Sequence, residues 1–422
     1  MPNDTTRRFF RSPGRSRRFK ASCPGSGDSE RAGCRRQSAP LPCGMQSWER
    51  DSVEGLANFC PLLDYLAEIK SPRTFLLVDV GCSGGIDRQW RRLRGRLRAI
   101  GFDPDVREIE RLRAREKNPN VSYENAFAGL PPHHPLARHD RLELERNPWP
   151  RLSTARYLEL VYPSEREAAA KEKRSANLWQ AAQLADRASP VFLPEYLLGK
   201  GITSLDFLKI DVDGADFDIL NSFDHALEEL QVLGVGIEVR FWGSEGGTDG
   251  TFHNVDRFLK ARGFELFNLT IRRYSMTALP SRFQGRAPGA TEFGRVHQGD
   301  AMYARDLGSG LYREFADSLS ADKILNLAAI FAIFDLPDCA AELLVEFRHR
   351  LSSCCTVDRA LDALATQARG RPAGYRRHLE RFVEHPRTFL GTKNPLLTIS
   401  RAWMKGYRKW RGRMELLRLE RR

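Results

Sequence analysis

The sequence predicts a doubly wound α/β fold: a Rossmann-like sheet of seven mostly parallel strands, followed by an appended C-terminal helical domain. Three observations carry that expectation. Apolar runs of strand length alternate with helix-spaced segments from Thr74 onward. The first run ends in a glycine-crowded turn, Val78-Asp79-Val80-Gly81-Cys82-Ser83-Gly84-Gly85-Ile86-Asp87. Beyond Leu311 every signal is helical.

In chain order, Leu56 to Ile69 has helical apolar spacing, with Pro61 expected as a kink. The first strand is Thr74 to Val80, and Trp90 to Leu97 reads as the helix after its turn. A second strand, Arg98 to Phe102, ends at Asp103-Pro104-Asp105; a helix from Val106 to Glu116 leads to a third at Val121-Ser122-Tyr123. The alternation pauses over 130–187, a Pro-interrupted insert that reads as a lid or binding loop or as a surface excursion. It resumes at Val191, with strands at Leu205 to Asp211, Val232 to Phe241, Phe264 to Ile271 and Ala301 to Ala304. Helices are expected at Ala215 to Phe223 and Asn254 to Arg262, then at Ala321 to Phe334, Pro337 to Leu351, Val357 to Ala368 and Tyr375 to Glu384.

The 422 residues leave room for two or three domains, and 41% hydrophobic with 29% charged residues suits a soluble protein. No apolar run approaches the roughly 18–20 residues of a membrane helix. The net charge of +13 sits in the tails: residues 1–44 hold ten Lys/Arg against three Asp/Glu, and residues 401–422 hold nine against two. That leaves residues 45–400 at −1, so there is no strong case for a nucleic-acid partner. The eight cysteines show neither metal spacing nor a paired framework, which fits a reducing, cytoplasmic setting. Residues 1–44 are expected to be disordered, and 45–73 form a helical lead-in. Arg7-Arg8-Phe9-Phe10 resembles a twin-arginine signal, but no apolar segment follows, so export is not expected. Met45 is a second candidate start.

The turn at Gly81–Gly85 lacks the third glycine, three residues after the second, that a dinucleotide pyrophosphate requires. Glycines crowded into the turn itself suit a ligand without phosphate whose amino-acid and sugar portions lie along the loop, such as S-adenosyl-L-methionine. Asp103, twenty-four residues after Asp79, stands where a carboxylate can accept from both ribose hydroxyls. Helix capping at Asp103 or Asp105 is the alternative.

The segment Phe207-Leu208-Lys209-Ile210-Asp211-Val212-Asp213-Gly214-Ala215-Asp216, taken with Val78-Asp79-Val80-Gly81 and Gly85, resembles the FkbM family of S-adenosylmethionine-dependent methyltransferases. Leu208, Lys209, Ile210, Asp211, Val212 and Gly214 match the family run, while Asp213 and Asp216 replace glutamates and Ser83 replaces a common asparagine. Gly236-Ile237-Glu238-Val239 and Gly299-Asp300-Ala301-Met302-Tyr303 resemble two further family segments, so the likeness covers about residues 74–306 and excludes 307–422.

The resemblance implies a class I methyltransferase sheet and cofactor binding by Asp79, Gly81, Ser83, Gly85, Asp103, Asn125, Ala126 and Asp211. Asp79 would pair with the cofactor's α-amino group and Asp103 with its ribose, and Asn125-Ala126 would meet the adenine edge. Asp211 would face the transferring methyl. Methyl transfer to a hydroxyl is an in-line displacement that needs an aligned oxygen and often a base, for which Asp211 and Asp213 are the candidates and His253 a remoter one. Capping and charge complementarity at a helix N-terminus are the structural alternative for Asp213 and Asp216. Lys209 is expected to pair with a neighbouring acid, and no metal is expected because no third ligand is evident.

The implied activity is O-methylation of a small-molecule or glycan acceptor, including glycolipids and natural products. The rivals are a non-catalytic scaffold that binds the cofactor, and a nucleic-acid methyltransferase using the basic tails. Trp403, Tyr407, Trp410, Met414 and Leu417 share one helical face among basic residues, so 401–422 can contact a membrane surface or dock on its own domain, the second being favoured. Oligomeric state is not legible.

Overall fold

The computed structural model describes residues 59–69, 71, 74–129, 190–212, 215–243, 250–274 and 293–386. The chain divides into Met1–Met45, which lies outside the described residues, and Gln46–Arg422, which holds all the structure below. The expected disorder of 1–44, the insert, Asp213, Gly214 and the helix over 401–422 also fall outside the described residues.

Helix α1 (Pro61–Glu68) precedes β1 (Phe75–Val80), then come the single turn α2 (Arg88–Arg91), β2 (Leu97–Asp103), α3 (Val106–Arg115) and β3 (Val121–Asn125). A two-residue parallel pair joins Phe127–Ala128 to Pro190–Val191. Next are α4 (Leu193–Gly199), β4 (Phe207–Ile210), α5 (Asp216–Phe223), α6 (Ala226–Glu229), β5 (Gly234–Arg240), α7 (Phe252–Lys260), β6 (Glu265–Tyr274) and β7 (Arg295–Ala304). The helical region follows: α8 (Arg313–Ser318), α9 (Ala321–Ile333), α10 (Pro337–Glu346), α11 (Arg348–Leu351), α12 (Val357–Arg369) and α13 (Tyr375–Glu384).

The seven strands form one sheet in the order β3-β2-β1-β4-β5-β7-β6. All run parallel except β7, which is inserted antiparallel between β5 and β6. This is the Rossmann-like, mostly parallel sheet the sequence predicts. The chain winds outward from β1 to β3 and then returns to β4, so the crevice between β1 and β4 is the switch point where such sheets bind ligands.

Two cores sandwich the sheet. Leu76, Val78 and Val80 join Leu208, Ile210, Ile237 and helices α4, α5 and α7 on one face. Phe75, Leu77 and Phe207 join α1, α2, α3 and the C-terminal helices on the other. The helical region expected after residue 306 is therefore present, and it shares a core with the sheet. Trp90 is fully buried there, 5.5 Å from Phe75, 4.6 Å from Phe207 and 5.8 Å from Phe334 by ring centroid. Nearly every side chain of α9 is buried, as its almost unbroken apolar sequence requires.

Two local expectations fail for backbone reasons. The helix read over Trp90 to Leu97 stops at Arg91, because Arg94 takes a left-handed φ of 54° before Gly95 and the chain enters β2 at Leu97. Pro61 stands in the first turn of α1, where its missing N–H is harmless, and does not kink a longer helix. Among the described residues no helix is long and apolar enough to cross a membrane.

Candidate cofactor and active site

The glycine turn leaves β1 at the switch point. Gly81 and Cys82 donate backbone N–H groups to Phe102 O at 2.9 and 3.1 Å, and Gly85 N closes the turn on Cys82 O at 2.8 Å. Gly81 has φ +85°, and a Cβ there would lie 1.9 Å from the carbonyl oxygen of Asp211, so only glycine lets β1 and β4 approach this closely. Gly84 N is taken by Glu108 of α3 at 2.9 Å, and Ser83 is exposed at the tip. Behind the turn, Tyr123 OH accepts from Ile86 N at 3.4 Å, and Arg91 pairs with Glu116 through two 2.7 Å bonds. The helix after the turn has one turn only, so the binding edge is the loop itself.

Asp79 is fully buried, and the pairing expected of Lys209 is made to it: Lys209 Nζ donates to Asp79 Oδ1 at 3.1 Å. The same ammonium lies 3.8 Å from Asp87 and 3.8 Å from Asp211, so one lysine gathers the acids of three segments. Burial pushes Asp79 up to about 6 despite Lys209. Burial works against the Lys209 ammonium, but Asp79, Asp87 and Asp211 outweigh it and hold its pKa above the ordinary range. Asp79 Oδ2 is buried with no hydrogen-bond partner. A fully buried carboxylate oxygen left in that state is costly unless a ligand satisfies it.

Asp103, Asn125 and Ala126 come together at the carboxyl ends of β2 and β3, where Asp103 is in register with Asn125. Asp103 Oδ1 accepts from Asp105 N at 2.8 Å, while Asp105 caps α3 by accepting from Arg107 N and Glu108 N. Capping thus falls to Asp105, and Asp103 accepts through Oδ1 from the Asp105 N–H. Burial raises the Asp103 carboxyl. Asn125 Nδ2 donates to the carbonyls of Asp103 and Pro104 at 3.1 and 3.0 Å, which fixes the side chain over the end of β2.

Asp211 is exposed one residue past β4, and its N–H donates to Val80 O at 2.9 Å. Asp213 lies outside the described residues. Asp216 is buried and its Oδ1 accepts from Val212 N at 3.0 Å, so it braces the loop instead of capping α5, whose N-cap is Ala215. His253 is exposed in the first turn of α7. Among the described residues no group of His, Cys, Asp and Glu is arranged to hold a metal ion.

Register reveals a charged strip that sequence reading missed. Asp79, Lys209, Glu238, Asp300 and Arg272 stand on the same sheet face as Phe75, Leu77 and Phe207. That face is apolar under α9 and charged toward the carboxyl ends. Arg272 Nη2 bridges Glu238 and, at 3.2 Å, Asp300. Alternation along β6, with Thr270 and Arg272 sharing a face, was the one available signal for Arg272.

Burial pushes Glu238 up to about 8; Arg272 opposes the rise, while Asp216, Asp211 and Asp300 add to it. Its folded pKa is above the unfolded value, so its stabilising protonated form is complete below about 4.3 and is lost as pH rises through about 8. Thermal unfolding should therefore show a midpoint falling over that interval, and Glu238→Gln should flatten the slope. An unchanged slope in that variant would remove Glu238 as its cause.

Comparison with known proteins bears on the family. Residues 157–266 match the model of the methyltransferase FkbM domain. That stretch contains the segments around Asp211 and Glu238, while the glycine turn and Asp103 lie before it. Among curated proteins none matches the chain. Among solved structures, the chain is similar to a TehB-like SAM-dependent methyltransferase from Corynebacterium glutamicum, at 13% identity over 58% of this chain and 87% of that one, with a TM-score of 0.24. A likeness at that score carries no weight beside the strand order and the family match. The match to the methyltransferase FkbM domain is confined to residues 157–266 and includes the Phe207–Asp216 run that resembles that family.

Proposed function

We infer that this protein is an S-adenosylmethionine-dependent methyltransferase acting on a hydroxyl of a carbohydrate, glycolipid or natural-product acceptor. The observation that carries the reading is the spare oxygen of Asp79, buried beside a turn that only glycine can form, at the switch point of an FkbM-type sheet. These groups fit the cofactor. Asp79 Oδ2 suits the ammonium of its methionine portion, Asp103 the ribose hydroxyls, and Asn125 with Ala126 the adenine edge. The turn residues Gly81, Ser83 and Gly85 let backbone come close.

When bound, the cofactor supplies a methyl group activated on a sulfonium. The chain's own contribution is to align the acceptor oxygen, exclude water and take the hydroxyl proton. Asp211, exposed at the crevice and 3.8 Å from Lys209, is the base in this reading, with Asp213 next along the loop. Lys209 keeps the neighbouring carboxylates tolerable to one another.

Calorimetric titration with S-adenosylmethionine tests the reading, and a wild-type chain that shows no binding would sink it. Asp79→Asn should weaken binding by about 10–100-fold, the loss of one charge-assisted hydrogen bond. Because the ammonium needs an ionised partner, wild-type affinity should rise as pH passes about 6. Asp211→Asn should bind normally yet lose about a hundredfold or more in release of S-adenosylhomocysteine. Binding with no turnover on any hydroxyl acceptor would favour the scaffold reading.

A further inference from the structure

Register sets Lys209 of β4 beside Asp79 of β1, and its ammonium lies 3.1 Å from Asp79, 3.8 Å from Asp87 and 3.8 Å from Asp211. The lysine side chain is 17% exposed and Asp79 is fully buried, so water and salt screen little of this pair. Asp87 and Asp211 reach the same ammonium from the solvent side, with side chains 42% and 48% exposed. The groups that act on Asp79 are thus Lys209 in β4, Asp87 in the turn, Asp211 past β4 and the buried Cys82 thiol. Of these only Lys209 is a cation.

A carboxyl that is to meet an ammonium has to be ionised when the ligand arrives. At Asp79 burial opposes ionisation, and Asp87 and Asp211 oppose it through like charge. Lys209 favours it through its charge and its hydrogen bond. The balance leaves Asp79 ionising at about 6, just below neutrality. Without the lysine, burial and both acids push the same way. The carboxyl would keep its proton at neutral pH and offer the ligand a neutral acid. Asp87 is the counterweight, and no capping bond to α2 engages its side chain.

We propose that Lys209 and Asp87 are positioning residues that act through Asp79, the lysine holding that carboxylate ready for the cofactor's ammonium and Asp87 opposing it. Between them they set the pH window in which cofactor binds. The inference rests on the reading of Asp79 as the cofactor's partner.

The full-length chain is titrated calorimetrically with S-adenosylmethionine over about pH 5–9. Wild-type affinity should rise through about 6. Lys209→Met should move that rise upward by about 1–3 pH units and weaken binding at neutral pH about tenfold. Lys209→Arg keeps the cation and should leave the rise in place. Asp87→Asn removes a like charge and should move it down. The ammonium's own titration is common to all four proteins and cancels in the comparison. In the cofactor-free protein, the Asp79 carboxyl carbon followed by NMR should shift its titration in the same directions.

A lysine that only tied β1 to β4 would lower the melting midpoint of Lys209→Met and leave the rise unmoved, and that result overturns the proposal. So does a rise displaced as far in Lys209→Arg as in Lys209→Met. If Lys209→Met does not fold, an unmoved rise in Asp87→Asn overturns it instead. A wild-type chain that binds no cofactor removes the reading of Asp79 and this inference with it, whereas binding with an unmoved rise removes the inference alone.

Discussion

Gly81→Ala is expected to destabilise the protein by about 3 kcal/mol or more and to abolish cofactor binding. The added Cβ would stand 1.9 Å from Asp211 O, 2.7 Å from its carbonyl carbon and 3.2 Å from Val212 Cγ1, at a φ of +85°. Backbone atoms cannot swing aside as a flexible side chain would, so β1 and β4 must part. The register Val80↔Ile210 and the bond from Asp211 N to Val80 O hold that junction, and the Asp79–Lys209 pair sits one residue behind it. Gly84→Ala is the matched control. Gly84 has φ +88°, but its Cβ would find nothing within 4 Å, so it incurs backbone strain of about 1–2 kcal/mol alone. Urea unfolding of the two variants separates collision from strain. Equal losses would show that the β1–β4 approach is not what requires glycine at 81.

Lys323→Met should cost about 3–5 kcal/mol, as expected when one partner leaves a buried ion pair. Lys323 Nζ donates to Leu205 O and to Asp206 Oδ1, both at 2.9 Å, and Asp206 Oδ2 accepts from Leu76 N at 2.7 Å. All four residues are buried, and together they tie α9 to the amino ends of β1 and β4. Burial pulls the Lys323 ammonium below its ordinary pKa, with Asp206 opposing. Removing the lysine strands the Asp206 carboxylate. Adding Asp206→Asn should recover part of the loss, because a neutral amide can still accept from Leu76 N. A denaturation series in which the double variant is no more stable than Lys323→Met would exclude the stranded charge as the cause.

The central strands β1, β4 and β5 were legible because they are buried on both faces along almost their whole length, which leaves unbroken runs such as Phe75 to Val78. β7 was legible only in its last four residues, Ala301 to Ala304. Its first half carries Arg295, Gln298 and Asp300 and does not read as an apolar run. The helix after the glycine turn was overread because Leu93 and Leu97 keep helical spacing, whereas the left-handed Arg94 leaves only Gly95 as a hint. Asp79, Asp103 and Asp211 stand out in the sequence because strand ends and acidic turns mark them. Lys209's choice of Asp79, a partner 130 residues away, and Arg272's bridge across three strands depend on register, which no local pattern encodes.

The shared core of α9 and the sheet also bears on portability. The family match ends at residue 266, and the last strand ends at Ala304, yet Phe75, Trp90 and Phe207 are enclosed by Phe331 and Phe334 and their neighbours. A fragment cut after β7 would lay those rings open to water and strand Asp206. Any transplant, fusion or chimaera built from this sheet therefore has to carry α9 and the helices that roof it. The smallest transferable piece is larger than the stretch that relatives would recognise.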